Sequence, residues 1–195
     1  MFVLVGIDFE FLETWDRDNG TGGIHLISVG LVAEDGRTYY AVNAEMPYIA
    51  VWQHLWLRHN VVPHLPLREA PNEFQWLNQD HRDVKGLDRI AWEIRRFIQN
   101  TPDPLLVGYY SGFDTVRLAW MFGVMVDKPD EIPMWLYDIK QQAFDLGIKV
   151  LPDNNNLEHH ALADAQWNLK TKLWLDERAE QQRLALIRSG MPSAD

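Results

Sequence analysis

FVLVGIDFEF, residues 2–11, is apolar except for one glycine and two acids near its end, and this run limits what the chain can become. Ten residues without a helical period read as a central β-strand buried on both faces. Asp8 and Glu10 are two positions apart, and in a strand positions i and i+2 share a face. Their carboxylates must therefore project side by side from one surface of a sheet. Two like charges so placed require a cation, a proton or water to neutralise them.

The rest of the chain supplies partners for that strand. HLISVGLVA (25–33) and RTYYAVNA (37–44) read as two more strands, joined by Glu34-Asp35-Gly36, and an Asp-Gly pair between β-rich runs marks a tight hairpin. The sheet thus begins as an antiparallel meander. NGTGG (19–23) lacks the Lys-Ser/Thr ending of a phosphate-cradling loop and opens no helix, so it reads as a flexible turn. Ile49 to His59 reads as a helix, followed by a long irregular segment with three prolines. Leu87, Ile90, Ala91, Ile94, Phe97 and Ile98 recur at steps of three and four, the stripe of an amphipathic helix. PLLVGYY (104–110) is a second buried strand and SGFDTVRLAWMFG begins another helix. This strand–helix–strand–helix succession makes the new strand parallel to the first, hence an α/β fold with a mixed central sheet and helices on both faces. MWLYDIKQQAFDLG (134–147) reads as a helix ending at Gly147, and a long last helix runs from about Ala161 to Arg188. The many tryptophans are expected mostly in the core.

With 195 residues, 47% hydrophobic and 24% charged, the chain suits one domain, placed at 1–188, with 189–195 as a disordered tail. The start lacks the basic region of a signal peptide and no apolar run reaches membrane-spanning length, so a cytoplasmic protein with no membrane partner is expected. There is no cysteine, which restricts metal ligands to oxygen and histidine and favours hard cations. A net charge of −10 argues against nucleic-acid binding by a broad basic surface, though not against a local site.

Parallel neighbouring strands end on the same sheet edge, where open α/β sheets bind ligands. Asp8 and Glu10 lie at one such end, Asp114 just beyond the other. Asp164 falls in the first turn of the last helix, with His159 before it; five residues on a continuous helix would separate them by about 140°, so His159 must reach in from the loop. Four carboxylates and a histidine suit a two-metal hydrolytic site, with two divalent ions roughly 4 Å apart and a neutral histidine taking the proton of the attacking water. Asp8 could bridge both ions, Glu10 and Asp164 complete one sphere, and Asp114 serve the other. Each element alone has a commoner role. Asp8-x-Glu10 could be a solvated rim, Asp114 or Asp164 a dipole-compensating acid, and His159 and His160 solvated loop. The histidines at 25, 54, 59, 64 and 81 lack metal-ligand spacing and read as structural or surface residues.

The order Asp8-x-Glu10, then Phe113-Asp114, then His159 with Asp164 five residues on, resembles the three exonuclease motifs of the DEDDh superfamily. Departures from its proofreading type are Phe11-Leu12-Glu13 after the acid pair and Tyr110 where an asparagine is common. Together with DFEF, LISVGLVAEDGRTYYAVNAE and NVVPHLPL, these features are similar to the small mycobacterial-type 3′-5′ exoribonucleases. The resemblance implies a ribonuclease H-like fold, two Mg²⁺ ions with Mn²⁺ able to substitute, and hydrolysis at single-stranded RNA 3′ ends to nucleoside monophosphates. It also implies a homodimer. Phe11 is the expected base-stacking residue, and Arg58 and Arg68 are candidate phosphate contacts. A DNA 3′-5′ exonuclease of the same superfamily and a non-catalytic nucleic-acid-binding module are the alternatives. Retention of all five site residues disfavours the second.

Overall fold

The computed structural model describes residues 2–68, 74–154 and 158–189. Strand β1 (Val3–Asp16) and strand β2 (Thr21–Ala33) form a long antiparallel hairpin, and β3 (Thr38–Asn43) continues the meander through the Asp35-Gly36 turn, where Gly36 has φ +87°. Only glycine takes such a φ at little cost, which explains the dipeptide. Two short helices, α1 (Tyr48–Gln53) and α2 (Leu55–Asn60), precede β4 (Val84–Lys85), α3 (Leu87–Gln99) and β5 (Pro104–Gly108). Then come α4 (Gly112–Trp120), β6 (Tyr137–Asp138), α5 (Ile139–Asp145) and α6 (Ala161–Arg188). The strand order is β4-β3-β2-β1-β5-β6, with β5 parallel to β1 and β6 parallel to β5.

The period-2 alternation of β1 assigns its two faces. Val5, Ile7 and Phe9 pack with Ile90, Ala91, Ile94 and Ile98 of α3 and Leu118 of α4. Gly6, Asp8 and Glu10 face the other way. There α6 lies close on the sheet, because a Cβ on Gly6 would meet the Ala165 carbonyl at 2.1 Å and one on Gly30, the partner of Asp8, would meet the Leu162 amide at 2.4 Å. Two missing methyl groups thus set the depth of α6, and with it the position of Asp164. Gly6→Ala is expected to cost at least about 1–3 kcal/mol, since backbone cannot yield as a side-chain tip can. Urea unfolding checks this, and an unchanged midpoint would contradict it.

Several sequence expectations need correction. The helix expected over 49–59 is broken at His54, whose ring nitrogen accepts from the Leu57 amide and starts a new helix. Residues 134–136 are not helical. Tyr137 pairs with Val107, and Asp138 caps α5 by accepting from the Lys140 amide at 2.7 Å, so the helix begins only at Ile139. Gly22 and Gly23 belong to β2, and the turn falls at 17–20. None of the nine tryptophans is fully buried, and six are exposed: Trp15, Trp56, Trp76, Trp92, Trp120 and Trp135. Val, Ile and Leu fill the sheet interior, and indole is too large to be enclosed often. Of the expected tail, 190–195 lie outside the described residues, while the Ser189 amide still donates to Ala185 at the end of α6. No helix among the described residues is long and apolar enough to cross a membrane.

Candidate metal centre

A cavity of about 450 Å³ opens beyond the end of β5 and against the middle of β1, and its lining includes Asp8, Glu10, Asp114, His159 and Asp164. β1 runs on to Asp16, so Asp8 and Glu10 sit mid-strand, just past Gly6 where the pairing with β5 stops, and not at the strand end expected from the sequence. All five residues singled out from the sequence therefore meet in one place, and Phe11 lines the same cavity. Four elements deliver them. β1 presents Asp8 and Glu10 side by side. A register shift follows Glu10, where Ile27 of β2 is left between the residues opposite Glu10 and Phe11. Bulges of this kind re-aim side chains beside functional sites. The first turn of α4 supplies Asp114, buried at 5% exposure. The first turn of α6 supplies Asp164, and the loop before it supplies His159.

Carboxylate oxygens of Asp8, Glu10 and Asp164 lie within 4.8 Å of one another. Asp164 is fixed by the His159 amide, which donates to it at 2.8 Å, and by the Asn154 amide group. His159 has φ +70°, a left-handed conformation uncommon for a non-glycine residue, and this turn sends its amide to Asp164 while the ring faces the cavity. Strain of this kind is tolerated where surrounding structure fixes it, often at functional sites. The imidazole packs edge-to-face with Trp56 of α2, with ring centroids 4.7 Å apart and planes at 75°.

Electrostatics here are those of acids crowded without neutralisation. Burial, then Asp114, Glu10 and Asp164, hold the Asp8 carboxyl well above the usual range. Burial, followed by Asp164 and Asp114, pushes Glu10 up to about 8. Burial pushes Asp114 up to about 7 against the opposing Phe9 amide. Burial also raises Asp164, although the Asn154 and His159 hydrogen bonds pull it down. An all-oxygen set of converging, partly desolvated carboxylates fits a hard divalent cation, which would supply the missing positive charge.

A pH dependence follows. Without metal the folded protein holds protons on Glu10 and Asp114 that the unfolded chain has released, so stability is greatest on the acid side. It is lost as pH rises from the unfolded carboxyl range, near 4.5, through 7 to 8. Chelated protein is expected to lose stability on the order of several kcal/mol over this span, and Glu10→Gln should flatten the decline. Thermal melts in chelator across that range provide the check.

The sequence reading missed four contributors. Asn168, one helical turn after Asp164, donates to the Ile7 carbonyl at 2.9 Å and lines the cavity beside Asp8; its i+4 spacing was a usable signal. Asn154, Trp56 and Trp167 carried none. Arg58 and Arg68 do not line the cavity, and Arg68 is held by Asp80 at 2.6 Å. Neither is therefore placed to hold a phosphate inside the cavity. Phe11 stands 6.0 Å from Phe113 between ring centroids, an aromatic pair at the cavity.

No family model matches the chain. Two proteins named 3′-5′ exoribonuclease, from two strains of Mycobacterium tuberculosis, are each 32% identical to it over 165 residues, covering 84% of this chain and 87% of theirs.

Proposed function

Because the chain belongs to the family of mycobacterial-type 3′-5′ exoribonucleases, we propose that it is a metal-dependent hydrolase that removes nucleoside monophosphates from single-stranded RNA 3′ ends. The observation that carries this reading is the convergence of Asp8, Glu10 and Asp164 within 4.8 Å, in a cavity also lined by Asp114 and His159. The mixed sheet, an antiparallel meander followed by parallel β5 and β6, supports a ribonuclease H-like fold. Residues 1–188 are read as one exonuclease unit working in the cytoplasm. A homodimer belongs to the same reading, supported by the exposed apolar side chains Met134, Trp135, Phe144 and Val150, none of which lines the cavity.

Each residue then has a task. Asp8 would be shared between two Mg²⁺ ions, with Glu10 and Asp164 completing one set of ligands and Asp114 serving the other; Mn²⁺ would substitute. The ions would supply positive charge at the scissile phosphate and ease ionisation of an attacking water. His159, whose ring faces the cavity, would take the proton of that water. It is presented by a loop whose backbone is tied to Asp164, so base and carboxylate stay in register. Phe11 and Phe113 offer faces for the terminal base, which only an unpaired strand can turn out of its stack.

The test is a time course with Mg²⁺ on 5′-labelled RNA and DNA of one sequence. The reading expects an RNA ladder that shortens stepwise from the 3′ end, release of monophosphates, and arrest by EDTA. Preference for DNA would move the assignment to a DNA exonuclease, and binding without cleavage would leave a non-catalytic module.

A further inference from the structure

One face of α4 is largely exposed to solvent, apart from the contact of Phe113 with Phe11. Asp114, Arg117 and Leu118 point inward, while Phe113, Val116 and Trp120, at steps of three and four, are 53%, 39% and 50% exposed. Opposite them the β1–β2 hairpin projects as an arm with Trp15, 67% exposed. Between the two lies a cleft of about 560 Å³, lined by Trp15, Gly22, Gly23, Phe113 and Trp120 among others. Trp15 pairs across the hairpin with Gly22, where a Cβ would come within 2.8 Å of the indole. Glycine there lets the ring close over the neighbouring strand, and Arg117 braces the cleft by donating to the Ile24 carbonyl at 3.4 Å.

Phe113 also lines the acid-lined cavity, so one ring borders both cavity and cleft. We propose that this cleft is an RNA subsite in which unpaired bases upstream of the 3′ terminus stack on Trp120 and Trp15. The proposal rests on the exoribonuclease reading and extends it. Glu13 is the charged side chain among those lining the cleft, and an acid repels phosphate. The strand must therefore lie with bases inward and phosphates toward solvent, as stacking platforms for single strands require. A protein seated on the same face would cover Phe113 and obstruct the mouth of the cavity, which favours the substrate itself as occupant.

Hydrolysis of an RNA dinucleotide and an octanucleotide by the full chain with Mg²⁺ tests this. Wild type should have the lower KM for the octanucleotide. Trp120→Ala and Trp15→Ala should each raise that KM roughly 5- to 150-fold, the range for loss of one base–aromatic stack, while dinucleotide turnover stays unchanged. Trp120→Phe should recover most of the loss. Equal effects on both substrates, no effect on either, or dissociation of an oligomer by Trp120→Ala would overturn the subsite. A wild type that cleaves RNA without a length effect overturns the subsite alone. One that cleaves neither substrate overturns the exoribonuclease reading with it.

Discussion

Asp8→Asn is expected to lower RNA hydrolysis by at least about 10³-fold while making the metal-free protein more stable. The loss follows from position: Asp8 lies in the carboxylate cluster with Glu10 and Asp164 and also feels Asp114, so it would be shared between two cations. Losing a shared ligand forfeits several kcal/mol of transition-state charge stabilisation, and each 1.4 kcal/mol is about tenfold in rate. The gain in stability has the same origin. Burial and three neighbouring acids hold the Asp8 carboxyl far above its ordinary range, and an amide of the same shape removes that conflict. The Asn168 amide beside it remains in place through its bond to Ile7. Rate and thermal midpoint in chelator, measured on one preparation, check both halves. Asp35→Asn in the exposed hairpin turn is a suitable control.

His159→Ala is expected to slow hydrolysis by about 10²- to 10⁴-fold, the usual span for loss of a general base. Metal and RNA binding should stay close to wild type. A general base contributes a limb to the pH–rate profile, and the variant should lack the limb that wild type shows. His160 provides the contrast. Its ring nitrogen accepts from the Ala163 amide at the start of α6, and the ring stacks on Tyr40 at 4.6 Å. His160→Ala should thus cost about 1 kcal/mol of stability as a lost cap and leave the pH profile intact. Stopped-time assays across pH with both variants separate the roles. A His159→Ala enzyme that keeps its rate and that limb would remove His159 from the chemistry.

The parts of the fold that were legible are those in which one rule acts over many residues. β1 and α3 declare themselves through period 2 and period 3.6, and the ends of α6 follow from the loop before it and its long pattern. That Asp8, Glu10, Asp114, His159 and Asp164 line one cavity was legible in part: strand alternation puts Asp8 and Glu10 on one face, and the end of β5 brings Asp114 beside them, although β1 itself runs on past that edge. What was not legible depends on single contacts. The break at His54 comes from one ring nitrogen capping α2, and β6 is two residues long, too short for any period. Tryptophan exposure also escaped, because hydrophobicity says nothing of which face of α4 or which arm of a hairpin is covered. Trp56 against His159 and Asn154 against Asp164 are tertiary meetings that a linear pattern does not encode.

The central claim is that these acids form a two-ion site. Mn²⁺ titration by calorimetry, with a nucleoside monophosphate present, tests it most directly. Wild type should bind two ions per chain, Asp114→Asn should bind one, and Asp8→Asn should bind neither tightly. A wild type that binds a single ion, or an Asp8→Asn protein that still binds two, would contradict the account.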